Sequence, residues 1–113
     1  MLPIEIIGGG LAGLALGLGL RRAGVPVTLH EAGDYPRHRV CGEFITGLAP
    51  STIARLGLGE VLRGALRHEE VVWSIDETIL RIQRLPRPAL GLSRHTLDAR
   101  LARAFADAGG SLH

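Results

Sequence analysis

The chain has 113 residues, 16 of them glycine, a formal net charge of +2, and no lysine, so its basic side chains other than histidine are all arginine. That length supports one core, burying about two-thirds of the surface an unfolded chain exposes, and is short for a complete two-domain enzyme. The scattered arginines exclude the clustered footprint of a nucleic-acid binder, and one cysteine with five dispersed histidines excludes an internal disulfide and a recognisable metal site, so a reducing, cytoplasmic setting is expected.

The segment Pro3-Ile4-Glu5-Ile6-Ile7 is apolar and β-branched, which predicts a strand buried on both faces of a parallel sheet. Glycines follow it at once, at Gly8, Gly10 and Gly13, in the order of a dinucleotide-binding fingerprint. Each has its own reason. Gly8 permits the sharp turn, Gly10 keeps a Cβ away from the phosphates, and Gly13 lets the following helix pack closely on the strand. A pyrophosphate then sits at the helix N-terminus, where the amides of Leu11 and Ala12 are unpaired and the helix dipole favours an anion. Three glycines inside one helix, Gly13, Gly17 and Gly19, cost roughly 2–3 kcal/mol relative to alanine. Packing alone rarely demands that. The apolar run from Ile6 to Leu20 falls short of the roughly 20 residues needed to span a bilayer and is rich in glycine, so no membrane span is expected. No basic leader precedes it, and no signal peptide is expected either.

Gly24 marks the end of the helix, and Val25 to His30 reads as the second strand. Glu31 closes it, 18 residues after Gly13, near the spacing of about 20 at which an acidic side chain reaches the adenosine ribose hydroxyls. A carboxylate there repels a 2′-phosphate, which disfavours NADP. Residues 32–39 form a polar loop by their Gly, Pro and charge content. Ser51 to Leu66 reads as one or two short helices, entered at Pro50 and punctuated by Gly57, Gly59 and Gly64. Two strands follow, Glu70 to Ile75 and Ile79 to Ile82, joined by a turn at Asp76-Glu77, with a further extended segment at Ala89 to Leu92. Thr96 to Ala108 is an amphipathic helix with Leu97, Leu101, Ala104, Phe105 and Ala108 on its apolar face and Asp98 largely off it. Gly109 and Gly110 stop it. The 63 residues from Glu31 to Arg94 make a long excursion for a plain nicotinamide domain.

Around Arg39-Val40-Cys41-Gly42-Glu43-Phe44, with Ala49-Pro50 and Leu56-Gly57-Leu58, and at Leu92-Ser93-Arg94 leading into Thr96-Leu97-Asp98-Ala99-Arg100-Leu101, the sequence resembles FAD-dependent oxidoreductases of the geranylgeranyl reductase type. That superfamily also takes in aromatic hydroxylases and flavin-dependent halogenases. The resemblance covers nearly the whole chain. It implies that Glu31 binds the adenosine ribose, that Arg39 and the backbone around Cys41 and Gly42 run along the flavin side of the cofactor, and that Arg94 approaches it from the later helix. Arginines suit phosphate or ribityl oxygens through charge-assisted hydrogen bonds, and glycine suits close approach to a planar ring.

The fold expected is α/β: a Rossmann-like FAD-binding βαβ unit with an inserted β-hairpin. Residues 1–113 are expected to form the N-terminal part of a FAD/NAD(P)-binding domain, with residues 67–92 a hairpin from an incomplete substrate-domain sheet. Members of the superfamily continue with a third strand, an Asp-Gly and a Gly-Asp segment and a substrate domain. The chain stops at Ser111-Leu112-His113, so it reads as truncated relative to them. The expected cofactor is FAD, with NAD the alternative, and the expected substrate of the full-length form is small and apolar or isoprenoid-like. A free sheet edge that could pair with a second copy leaves a non-catalytic dimeric module as a further alternative. No acid, base or nucleophile is assigned. Cys41 reads as an inert small residue and Trp73 as hairpin packing.

Overall fold

A computed structural model describes residues 1–113. The chain runs β1 (Ile4–Ile7), α1 (Leu11–Arg22), β2 (Val27–His30), β3 (Phe44–Ile45), α2 (Pro50–Leu56), β4 (Leu66–Ile75), β5 (Thr78–Gly91), α3 (Arg94–Asp107) and β6 (Ser111–Leu112). Two three-stranded sheets result. One is parallel, in the order β1-β2-β6, with Ile4 to Ile7 in register with Val27 to His30. The other is antiparallel, in the order β3-β5-β4.

Helices α1 and α3 form a single layer on the parallel sheet, and the core lies between. Leu14 and Leu18 of α1, Ile6, Val27 and Leu29 of the sheet, and Leu97, Leu101, Ala102 and Phe105 of α3 fill it, joined by Leu58 and Val61. A Cβ at Gly17 would stand 2.9 Å from the Phe105 ring, so that glycine lets the ring nest against α1. Both helices end in the same way. The Val25 amide donates to the Leu20 carbonyl and Gly24 to Arg21, and Gly110 donates to Phe105 and Gly109 to Ala106. Gly24 and Gly109, at φ +81° and +87°, supply the left-handed residue this double closure requires. Arg21 then staples the two ends, donating from Nε to the Ala108 carbonyl and from Nη1 to that of Val25, each at 3.0 Å.

The expectation that β1 is buried on both faces is not met. Ile6 faces the helices, but Ile7 is 82% exposed because no second helical layer covers the other side of the sheet. Further differences concern element limits. The segment 89–92 is no separate strand but the end of β5, where Phe44 and Ile45 pair with Gly91 and Leu90. Of the one or two helices expected over 51–66 the structure has one, Pro50–Leu56, closed by Gly57 at φ +67° and followed by turns. Helix α3 begins at Arg94, capped by the Ser93 hydroxyl, which accepts from the Thr96 amide at 3.2 Å. The β4–β5 turn takes positive φ at both Asp76 and Glu77, the geometry of a tight two-residue hairpin.

Phe105 is fully buried between α1 and the sheet, so Phe105→Ala is expected to lose about 3–5 kcal/mol. Urea denaturation followed by circular dichroism checks this; a loss below about 1 kcal/mol would contradict the core described.

Candidate functional site

The β1–α1 turn and the end of β2 form one unit. Gly8, at φ +103°, donates its amide to the His30 carbonyl at 2.8 Å, which turns the chain beside the end of β2. A Cβ on Gly13 would overlap the Gly8 carbonyl, and one on Gly9 would overlap the Tyr35 hydroxyl, so both glycines answer to contacts within the protein. Gly10 does not. Its backbone (φ −81°, ψ −168°) suits any residue, and a Cβ there would meet nothing within 4 Å. Next to that open space the amides of Leu11, Ala12 and Gly13 find no acceptor in the chain, and no acidic side chain occupies the first turn of α1. The Ala12 side chain is exposed, while that of Leu11 rests against the core. The positive end of the helix therefore faces space that the protein leaves empty.

Glu31 lies beside it, and its carboxylate is fully engaged. Oε1 accepts from the Gly9 amide at 3.0 Å and from Arg37 Nη2 at 3.1 Å. Oε2 accepts from the Gly33 amide at 2.8 Å, with Arg37 Nη1 at 3.0 Å. Only 11% of the Glu31 side chain and 13% of Arg37 are exposed. The Arg37 hydrogen bond, helped by the Gly33 and Gly9 amides and opposed by burial, lowers the Glu31 carboxyl from its ordinary 4.5 to about 2. The same hydrogen bond pushes Arg37 up. Arg37 Nη2 and the Tyr35 hydroxyl both donate to the Gly9 carbonyl, and the guanidinium lies over the Tyr35 ring at 4.7 Å from its centre. Burial raises the Tyr35 phenol.

A second buried carboxylate extends the network. Asp98 is fully buried on α3, contrary to its expected place off the apolar face. It can be there because Arg94, one turn earlier, donates to it from Nε at 2.7 Å and Nη2 at 3.0 Å, and Arg37 Nε stands 4.0 Å away. A buried carboxylate needs such partners. That pairing raises Arg94, with a smaller contribution from the nearby Cys41 thiol. Arg37 Nε itself has no acceptor.

The remaining residues singled out in the sequence occupy the adjoining loop. Arg39, Cys41 and Gly42 are exposed. Arg39 makes no hydrogen bond or ion pair within the chain. Cys41 Sγ accepts from the Glu43 amide at 3.3 Å. His38 stacks on His95 at 4.7 Å between ring centres, which holds this loop against the start of α3, so Arg94 and the 39–42 segment are neighbours. Sequence reasoning missed Tyr35, Arg37 and Asp98. The i,i+4 spacing of Arg94 and Asp98 was a usable signal; Tyr35 and Arg37 carried none, since they meet Gly9 and Glu31 only in the folded chain.

No family model matches the chain. It is 28% identical to the menaquinone reductase of Mycolicibacterium smegmatis and 26% identical to that of Mycobacterium tuberculosis, in each case over 96% of this chain and 28% of the relative. Among solved structures it is similar to a flavin-dependent brominase (27% identity, TM-score 0.73, 96% of this chain and 28% of that one). It is also similar to the tetrameric form of 2-methyl-3-hydroxypyridine-5-carboxylic acid oxygenase (23%, 0.85, 98% and 30%). A third likeness is to the flavin-dependent monooxygenase PieE in complex with FAD and substrate (22%, 0.81, 99% and 23%). The fold is thus that of flavin-dependent monooxygenases and halogenases, as the resemblance in the sequence implied. The chain spans less than a third of the length of the menaquinone reductases it matches. No helix is long and apolar enough to cross a membrane.

The lowered carboxyl of Glu31 has a pH consequence. Its contribution to stability is present above about pH 4.5 and is lost as pH falls towards 2. Urea midpoints measured at pH 6, 4 and 3 are expected to fall more steeply for the wild type than for Glu31→Gln; equal slopes would contradict the clamp.

Proposed function

We propose that the chain is the FAD-binding part of a flavin-dependent oxidoreductase, of the reductase or monooxygenase type. Gly10 carries this reading. Nothing in the fold requires glycine there, yet it borders an open space faced by three amides without acceptors. A pyrophosphate satisfies both conditions. The amides of Leu11 and Ala12 would take its oxygens, Gly8 and Gly13 would hold the turn that aims them, and Glu31 would face the adenosine ribose. Arg39, the backbone of Cys41 and Gly42, and Arg94 would lie towards the flavin, with Arg39 supplying charge and Arg94 held in place by Asp98.

When bound, FAD supplies hydride and electron transfer; this chain's residues bind and orient it. We assign activity to a protein of the relatives' full length, acting on a small apolar or isoprenoid-like substrate in the cytoplasm, and expect the 113 residues by themselves to be inactive. The menaquinone reductases among the relatives support that choice of substrate class. The hairpin of β4 and β5 would belong to a substrate-domain sheet. Its outer edge, along β4, has no partner strand, and pairing with a second copy through it would show as a dimer in sedimentation, whereas a monomer at all concentrations would refute it.

Titration with FAD and with NAD separates the two dinucleotides, and tighter binding of FAD is expected; tighter NAD binding would favour a nicotinamide domain. Gly10→Val is expected to abolish binding while changing stability by less than about 1 kcal/mol, since its Cβ enters space no protein atom uses. Undiminished FAD affinity in that variant would refute the site.

A further inference from the structure

We propose that Arg37 occupies the position on Glu31 that a ribose diol would take, so that a nucleotide must displace it to bind. This deepens the reading above and rests on Glu31 facing the ribose.

An ionised carboxylate offers about four lone-pair directions. On Glu31 three accept hydrogen bonds, from the Gly9 amide and Arg37 Nη2 at Oε1 and from the Gly33 amide at Oε2, and the fourth is covered by the charge of Arg37 Nη1, 3.0 Å from Oε2. No direction is left for a pair of hydroxyls. Two of the four donors are backbone amides, fixed by the β1–α1 turn and by the chain just after β2. The other two belong to one side chain, whose fork spans both oxygens much as a vicinal diol would. Arg37 is therefore the donor that can leave.

Its departure strands no partner. The Gly9 carbonyl keeps the Tyr35 hydroxyl, Asp98 keeps both bonds from Arg94, and Glu31 keeps the amides of Gly9 and Gly33. Arg37 is also imperfectly held. Nη1 lies close to Oε2 without hydrogen-bond alignment, and Nε, 4.0 Å from Asp98, has no acceptor. The side chain thus fills the ribose-facing side of Glu31, while its other contacts are a hydrogen bond shared at the Gly9 carbonyl, a stack over Tyr35 and a 4.0 Å approach to an Asp98 already held by Arg94.

The test uses the whole chain and two probes, ADP and 2′,3′-dideoxy-ADP, titrated calorimetrically into the wild type and Arg37→Met, which keeps the aliphatic stem. Arg37→Met is expected to bind ADP on the order of tenfold more tightly than the wild type, with no gain for the dideoxy analogue. Should that variant fail to fold, Arg37→Lys serves, because its single ammonium cannot cover both oxygens; a smaller gain for ADP alone is expected. Unchanged or weaker ADP binding, or an equal gain for both probes, overturns the inference. If the wild type binds FAD and the variant shows no diol-dependent gain, the FAD reading stands and this inference alone falls. If neither protein binds ADP or FAD, both fall.

Discussion

A carboxylate held out of water at the end of a strand must be met by donors, and Glu31 meets this demand by collecting the parts of the site around itself. The Gly9 amide comes from the β1–α1 turn, the Gly33 amide from the chain just beyond β2, and the guanidinium of Arg37 from the loop beyond that. Arg37 in turn touches Gly9, Tyr35 and the neighbourhood of Asp98. One charge therefore sets how the β1–α1 turn, the polar loop and the start of α3 stand relative to one another. The glycine turn leaves three amides facing open space, and Glu31 fixes where that space lies.

The βαβ part of this arrangement was legible because it depends on local rules. A β-branched run, a glycine with positive φ, a helix of leucine and alanine and a Schellman closure at Gly24 each follow from residues a few positions apart. The place of Glu31 at the end of β2, beside the glycine turn, was legible from spacing. The partners of Glu31 were not, because a Tyr-Pro-Arg stretch in a polar loop has no periodicity to show that it folds back on Gly9. Asp98 was misplaced for a related reason. Amphipathic patterning assigns an aspartate to the wet side, and only the pairing with Arg94 lets it sit in the core. The burial of β1 was overread in the same spirit, since a strand's composition reports what both of its faces could bury and not what covers them here.

The two sheets differ in how much they bury. Side chains between the parallel sheet and its helices are almost wholly enclosed, Leu14, Leu29 and Phe105 completely so. Along the hairpin, by contrast, Val72, Trp73, Ile75, Ile79, Leu80 and Ile82 are all more than half exposed. The long dimension of the molecule, 57 Å against 30 and 20 Å, reflects that projection. Hydrogen bonding between β4 and β5 and a tight turn maintain the hairpin's shape, whereas apolar burial maintains the βαβ unit. Perturbations of the core and of the hairpin are therefore separable.

Strand β6 is only two residues long, yet it lies beside the end of β2 that leads into Glu31. Its register sets Ser111 and Leu112 against Thr28 and Leu29, and the following residue, His113, donates its amide to Leu29 and accepts from the amide of Glu31 at 2.8 Å. The backbone that carries the carboxylate is thus latched by Ser111, Leu112 and His113. Loss of these backbone bonds would unfasten Glu31 from behind without altering any atom of the carboxylate or of the donors that clamp it.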